Sequence, residues 1–469
     1  MAQLLIQIGS CFKGFLTGSY ISRDQCDRAF ERMHTRDGIG DQIHLVFACI
    51  AMVGIAGPVS VVDIAVLPMV VFFLIRVINT FPVWIHGFGQ PVVLVAMALA
   101  GLMGLSLMWS SDPVAGLENM SELRWLAMIG FVYPVIEHRR LLLACLCAGF
   151  VLGHGAQVID AFNGFGNAWL YNALWHEPNR VSGWWDPAVG GSLLVGVLGL
   201  HLPSALIGRG RWRVLGVMGS LITMTALLAT GTRGAWIASA GLIVLALLCA
   251  GTRYIRVSER STKRLLWTAG FVCAATVGGV VVILSVPKVG GVFEPANSRV
   301  QETRVEIARA MDGDLGSFTG ARISMGTQAV RAGAEHPILG LGAGGFRDWM
   351  QAQTPEVLDD HAHAHSSGLQ LWSEHGLPGV LLGVVLVLVL IVSAWRTARA
   401  GGHPYDYATL GAITGLLMVS AFDSILMNVN TAAMLGALAA LSPSYAPGLH
   451  QMGTQKSAHG SAGPTISND

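Results

Sequence analysis

The stretch from Asp359 to Gly379, DDHAHAHSSGLQLWSEHGLPG, sets four histidines and three carboxylates at the start of a strongly apolar run. Histidine titrates near neutral pH, so it is the side chain suited to moving a proton there. Ionisable residues at the mouth of a membrane helix are costly to keep and point to function. His361, His363 and His365, next to Asp359 and Asp360, also have the types a zinc ion takes. Alternating residues share one face of a strand, and residues i and i+4 share a helix face, so His361 and His365 converge in either conformation. No second ligand cluster supports a resident ion. Proton transfer without metal or cofactor is therefore the expectation.

Three arginines add anion chemistry. Arg233 lies in Thr230-Gly231-Thr232-Arg233-Gly234-Ala235-Trp236, where small neighbours leave room for a bulky anion. Arg322 opens a helix that leads to His336-Pro337-Ile338-Leu339-Gly340-Leu341-Gly342-Ala343-Gly344-Gly345-Phe346, and Arg180 sits in Glu177-Pro178-Asn179-Arg180-Val181-Ser182-Gly183. A guanidinium presents a planar fork that matches phosphate oxygens in pairs. The glycine run Gly340 to Gly345 lacks the Lys-Ser/Thr of a nucleotide loop and reads as a tight turn returning the chain to the membrane.

These residues need elements to hold them, and composition says which. The chain has 469 residues, 53% hydrophobic and only 12% charged, with a mean hydropathy of +0.57. A soluble domain carries about 25% charged residues, so this is an all-α, polytopic integral membrane protein. A net charge of +1 leaves no basic field for nucleic acid. The seven cysteines, of which Cys145 and Cys147 are the nearest pair, give neither a disulfide framework nor zinc spacing. Apolar runs long enough to span predict about 12 transmembrane helices, near 42–57, 59–78, 91–109, 122–137, 141–158, 189–207, 213–230, 234–250, 264–286, 366–394, 406–421 and 429–443.

Short loops rich in Lys and Arg stay cytoplasmic. His138-Arg139-Arg140, Arg209 to Arg213, Arg253 to Arg264 and Arg396 to Arg399 are basic, and counting spans puts all four on one side. The chain thus divides into a cytoplasmic N-terminal extension (1–41), spans with a loop at 159–188 (42–286), a large helical periplasmic loop (287–365), the last spans (366–443) and a disordered cytoplasmic tail (444–469). Within the large loop, Asn297 to Asp312 and Ala321 to Ala334 read as helices. The 159–188 loop carries Trp and Tyr that serve as interface anchors or as a platform for sugar rings. Asp63 and Asp423 are polar groups in apolar surroundings without an assigned role.

Here the chain resembles a family. His365-Ser366, nine residues, then Gly376-Leu377-Pro378-Gly379 is similar to the histidine signature of bacterial O-antigen ligases. GTRGAWIA, ARISMGTQAVRAGAEHPILGLGAGGF and NRVSGWWDPAVGG resemble further segments of the O-antigen ligase and polymerase superfamily, over roughly Ile159 to Leu390. Ser366 stands where Asn is frequent, which the signature allows. The resemblance implies an inverting, metal-independent glycosyltransferase in a bacterial inner membrane, working at the periplasmic face. The donor would be a glycan on undecaprenyl diphosphate, and the acceptor a hydroxyl of lipid A-core or of a growing polysaccharide. By the same resemblance Arg233 and Arg322 would hold the diphosphate and His365 would be the base. Arg180 joins the candidate diphosphate contacts, and His363 and Glu374 are candidate supports of His365. A ligase is the first expectation. A polymerase using the same donor is the second. A membrane transporter is a third, weakened by the lack of an internal repeat and by a polar cluster on one face only.

Overall fold

The structure, a computed structural model, describes residues 10, 12–162, 183–255, 301–310, 312–313, 317–354, 363–401 and 403–445. Among these residues every regular element is helical and none is a strand. Four helices are long and apolar enough to cross a membrane: Pro187–Ile207, Arg211–Ala229, Arg233–Ala250 within Arg233–Ile255, and Ser367–Gly401. Two bent pairs, Arg23–Arg36 with Gly38–Gly54 and Val59–Ile75 with Val77–Phe88, raise that to six if each pair is one span. Pro91–Ser106 and Val429–Ala440 are shorter apolar helices. The span expected at 264–286 lies outside the described residues.

Pro187–Ile207 is the centre of the bundle, with 83% of its most apolar window buried. A helix apolar all round belongs inside a bundle. It packs against Arg211–Ala229, Arg233–Ile255 and Ala408–Val419. By contrast, Arg211–Ala229 and the long Ser367–Gly401 helix leave most of their apolar surface outward, as lipid-facing helices do.

Three sequence expectations change here. The run 122–137 is not one helix but Glu122–Ala127 and Tyr133–His138 in 3₁₀ form around a short α-helical turn, Met128–Val132. Pro134 and a non-helical Val135 interrupt it. The run 59–78 ends at a 112° bend on Arg76, and a second helix, Val77–Phe88, follows. Arg76 is buried there and held by Asp37 at 2.7 Å and Asp41 at 2.6 Å. The N-terminal extension is therefore docked: Arg23–Arg36 buries Cys26, Phe30 and Met33 against Tyr133 and Val83. Finally, Ser444 and Tyr445, expected in a disordered tail, are buried, and the Tyr133 hydroxyl donates to the Tyr445 carbonyl at 2.7 Å. Residues 446–469 lie outside the described residues.

The ends of the bundle sort as the charge rule predicts. Arg139 and Arg140 both pair with Asp406, and Trp212 packs on His403 and Tyr405. Three of the four basic loops thus meet at one end. Arg233, the 183–186 segment and the 420–428 turn lie at the opposite ends of the same helices.

Candidate active site

His365 sits just before the Ser367–Gly401 helix at φ +48°, the one non-glycine residue among those described with positive φ. A side chain in that region costs of order 1–3 kcal/mol and persists only where its surroundings impose it. The surroundings are visible. Ser367 N–H donates to the Ser420 carbonyl at 3.0 Å, its hydroxyl donates to the Asp423 carbonyl at 3.3 Å, and Ile425 N–H donates to that same hydroxyl at 3.2 Å. The helix start is sewn to the 420–425 turn, and this brings Asp423 to the histidines. One ring nitrogen each of His363 and His365 and a carboxylate oxygen of Asp423 lie within 4.8 Å of one another. The two imidazole rings stand 4.6 Å apart. Asp423 accepts from the Ser192 hydroxyl at 2.8 Å. This trio has the types and spacing to hold a divalent ion or to share a proton. His361, Asp359 and Asp360 lie outside the described residues.

The arginine turn joins the same place. A Cβ on Gly234 would lie 2.7 Å from Phe422 Cβ, and one on Gly191 would lie 2.7 Å from Thr232 Cβ. So the residues flanking Arg233 touch the residues flanking Asp423 and Ser192. Thr232 also donates its hydroxyl to the Pro187 carbonyl at 2.6 Å, fixing the turn on the central helix.

Arg233 itself is not bare, contrary to its sequence context. Its fork meets Glu306 at 2.5 and 3.4 Å, with Glu302 at 3.6 Å and the Thr319 hydroxyl at 3.0 Å. Burial works against the Glu306 charge, but the bonds from Arg233 and Thr319 prevail and hold its carboxyl below the usual range. Residues 301–310 and Phe318–Glu335 are helical, as the sequence predicted for both segments.

Arg322 lies one turn beyond Thr319 and one turn before Met325, three residues from each. Residues at that spacing share a helix face. Thr319 bonds Arg233, and Met325 packs in a cluster with Ala364 between the two histidines. Arg322 itself is exposed. Arg180 lies outside the described residues.

Glu374 corrects the sequence reading. It is fully buried, and its Oε1 accepts from Gly344 N–H at 3.0 Å rather than reaching His365. Leu341 N–H and Gly342 N–H donate to the carbonyls of Ser373 and Glu374, both at 2.9 Å. The glycine run is a turn, as expected, and its role is to grip the segment that follows His365. Gly376 breaks the long helix at φ +58°, and a Cβ there would lie 2.6 Å from the Pro337 carbonyl, so the signature glycine is required by close approach. The link back to the site is Gln370, whose Oε1 accepts from Ala364 N–H at 2.7 Å.

Sequence reasoning missed Asp423 and Glu306 as partners. Each is separated from its partner by more than fifty residues, and no local period announces such pairs.

A search of the curated proteins finds no match. Residues 218–384 match the family model described as O-antigen ligase. That stretch contains Arg233, Arg322, His363, His365 and the Gly376 break, and over it the chain is similar to the O-antigen ligase family.

Proposed function

We propose that the chain transfers a glycan from undecaprenyl diphosphate to a hydroxyl acceptor, lipid A-core, at the periplasmic face of the bacterial inner membrane, with inversion and without a metal. The observation that carries this reading is the convergence at one end of the bundle of the Arg233 turn and a backbone-strained histidine beside Asp423. Diphosphate is already a good leaving group, so no general acid is needed. Guanidiniums aimed at it stabilise the charge that grows in the transition state. The acceptor hydroxyl is a poor nucleophile until a base withdraws its proton. A positioned histidine contributes about 10²- to 10⁴-fold to such a step. In this reading His365 takes that proton, Asp423 steadies the imidazole through its own bond from Ser192, and Arg233 exchanges Glu306 for the diphosphate.

That exchange is energetically open. Arg233 and Glu306 are partly exposed, and pairs of that kind are worth about 0–1 kcal/mol. A diphosphate offers more charge and more acceptor oxygens to the same fork.

The test is His365→Ala in the native host, with surface polysaccharide and membrane protein level scored together. Loss of polysaccharide at normal protein level is expected. Normal polysaccharide from the variant would sink the assignment. Long chains retained on the lipid carrier would mark a ligase, and single repeat units would mark a polymerase.

A further inference from the structure

We propose that His363, His365 and Asp423 form a site for a divalent transition ion of the zinc class, and that an ion bound there removes His365 from catalysis. The second half rests on the transfer reading above; ion binding stands independently of it. Two imidazoles and one carboxylate are three protein ligands with a position left open, a donor set that zinc accepts. Imidazole also selects against magnesium and calcium, which take oxygen ligands.

The geometry is close to closed. The three ligand atoms lie within 4.8 Å of one another, whereas zinc with bonds of about 2.0–2.1 Å sets tetrahedral ligand atoms roughly 3.4 Å apart. Side-chain rotations of about 1 Å complete the site. Asp423 is held for it at both oxygens, by the Ser192 hydroxyl at 2.8 Å on Oδ2 and by Ser424 N–H at 2.9 Å on Oδ1. Such outer hydrogen bonds orient ligands and raise metal affinity. The nearby cation, Arg233, is neutralised by Glu306 and does not repel an incoming ion. All three ligands are partly exposed, so an ion reaches them from solution.

An ion binds neutral imidazole through its lone pair. The same lone pair would accept the proton of the acceptor hydroxyl, so the ion and the acceptor compete for one lone pair of His365. The chemistry stays metal-free, and the ion acts as a brake.

Equilibrium dialysis of the purified full-length protein in detergent against Zn²⁺ is the experiment, with Co²⁺ as a spectroscopic probe. The expected result is one ion per chain, with visible Co²⁺ bands of a four-coordinate site. Both His363→Gln and Asp423→Asn should weaken binding at least tenfold while eluting from gel filtration as the wild type does. In the transfer assay Zn²⁺ should inhibit, and His363→Gln should raise the half-inhibiting concentration at least tenfold. Absence of binding to the wild type, or binding by both variants as tight as the wild type's, would overturn the site. Equal inhibition of wild type and His363→Gln would overturn the brake. A chain that binds zinc but transfers no glycan would retain the site and fail the functional reading instead.

Discussion

The two ends of this bundle use the same residue types to opposite purposes. At the basic end, Arg139 and Arg140 close on Asp406, whose side chain is 1% exposed, and Arg76 closes on Asp37 and Asp41. At the other end, Arg233 shares Glu306, and His363, His365 and Asp423 stand together without being sealed in. A buried ion pair holds elements in place, and breaking it leaves an uncompensated charge. A partly exposed one, such as Arg233 with Glu306, is easier to open. The difference is in how far the arginines are buried: Arg76 and Arg139 are 4% and 9% exposed, against 21% for Arg233.

Substitutions on both sides sharpen or break this contrast. The largest effect on activity is expected from His365→Ala, a drop of about 10²-fold or more in transfer with unchanged abundance in the membrane. Its counterpart, Asp406→Ala, should do the reverse. Two arginines lose a buried partner, and a loss of about 3–5 kcal/mol is expected, read as a fall in thermal stability in detergent. Should Asp406→Ala prove stable but inactive, the division between the two ends would collapse.

Arg233→Lys keeps the charge and loses the fork. A fall of about tenfold in kcat/KM for the lipid-linked donor is expected, which corresponds to one charge-assisted hydrogen bond of roughly 1.5 kcal/mol. An unchanged value would mean that Arg233 does not contact the donor.

The smallest effect belongs to Glu306→Gln, which removes the competitor for Arg233. The donor KM should fall a few-fold, in line with a pair worth under about 1 kcal/mol. The pH dependence follows from the sign of its shift. Glu306 is held below the usual carboxylate range, so its pairing is fully present above the unfolded value of about 4.3 and is lost only as pH falls through the depressed folded value. The ratio of wild-type to variant KM should therefore be flat from pH 5 to 8 and shrink only in more acid solution.

Much of the architecture was legible because it rests on local pattern. Apolar runs gave the helices at Pro187–Ile207, Arg211–Ala229 and Arg233–Ile255, and the basic loops gave the sorting of ends. Where tertiary packing overrides pattern, the reading failed. Hydropathy alone made 122–137 a span, but Pro134 and the docking of Arg23–Arg36 on Tyr133 favour a broken element there. Hydropathy likewise hid Val77–Phe88, because the bend at Arg76 is fixed by Asp37 and Asp41, some 35 to 40 residues earlier. At the candidate site, His365 and Arg233 stood out by residue type alone. Glu374 was misassigned because sequence proximity to His365 says nothing of which way a buried carboxyl faces. Gly344 takes it instead.

The break at Gly376 has a mechanical meaning. Leu377 N–H donates to the Pro337 carbonyl, and the short segment from Ser367 to His375 is fastened to the glycine run while most of the surface beyond it faces outward. Bilayers differ in thickness, and spanning helices answer by tilting. The non-helical backbone at Gly376 is the joint at which the 377–401 segment can tilt. With such a joint, a reconstituted protein should keep the same transfer rate in thin and thick bilayers.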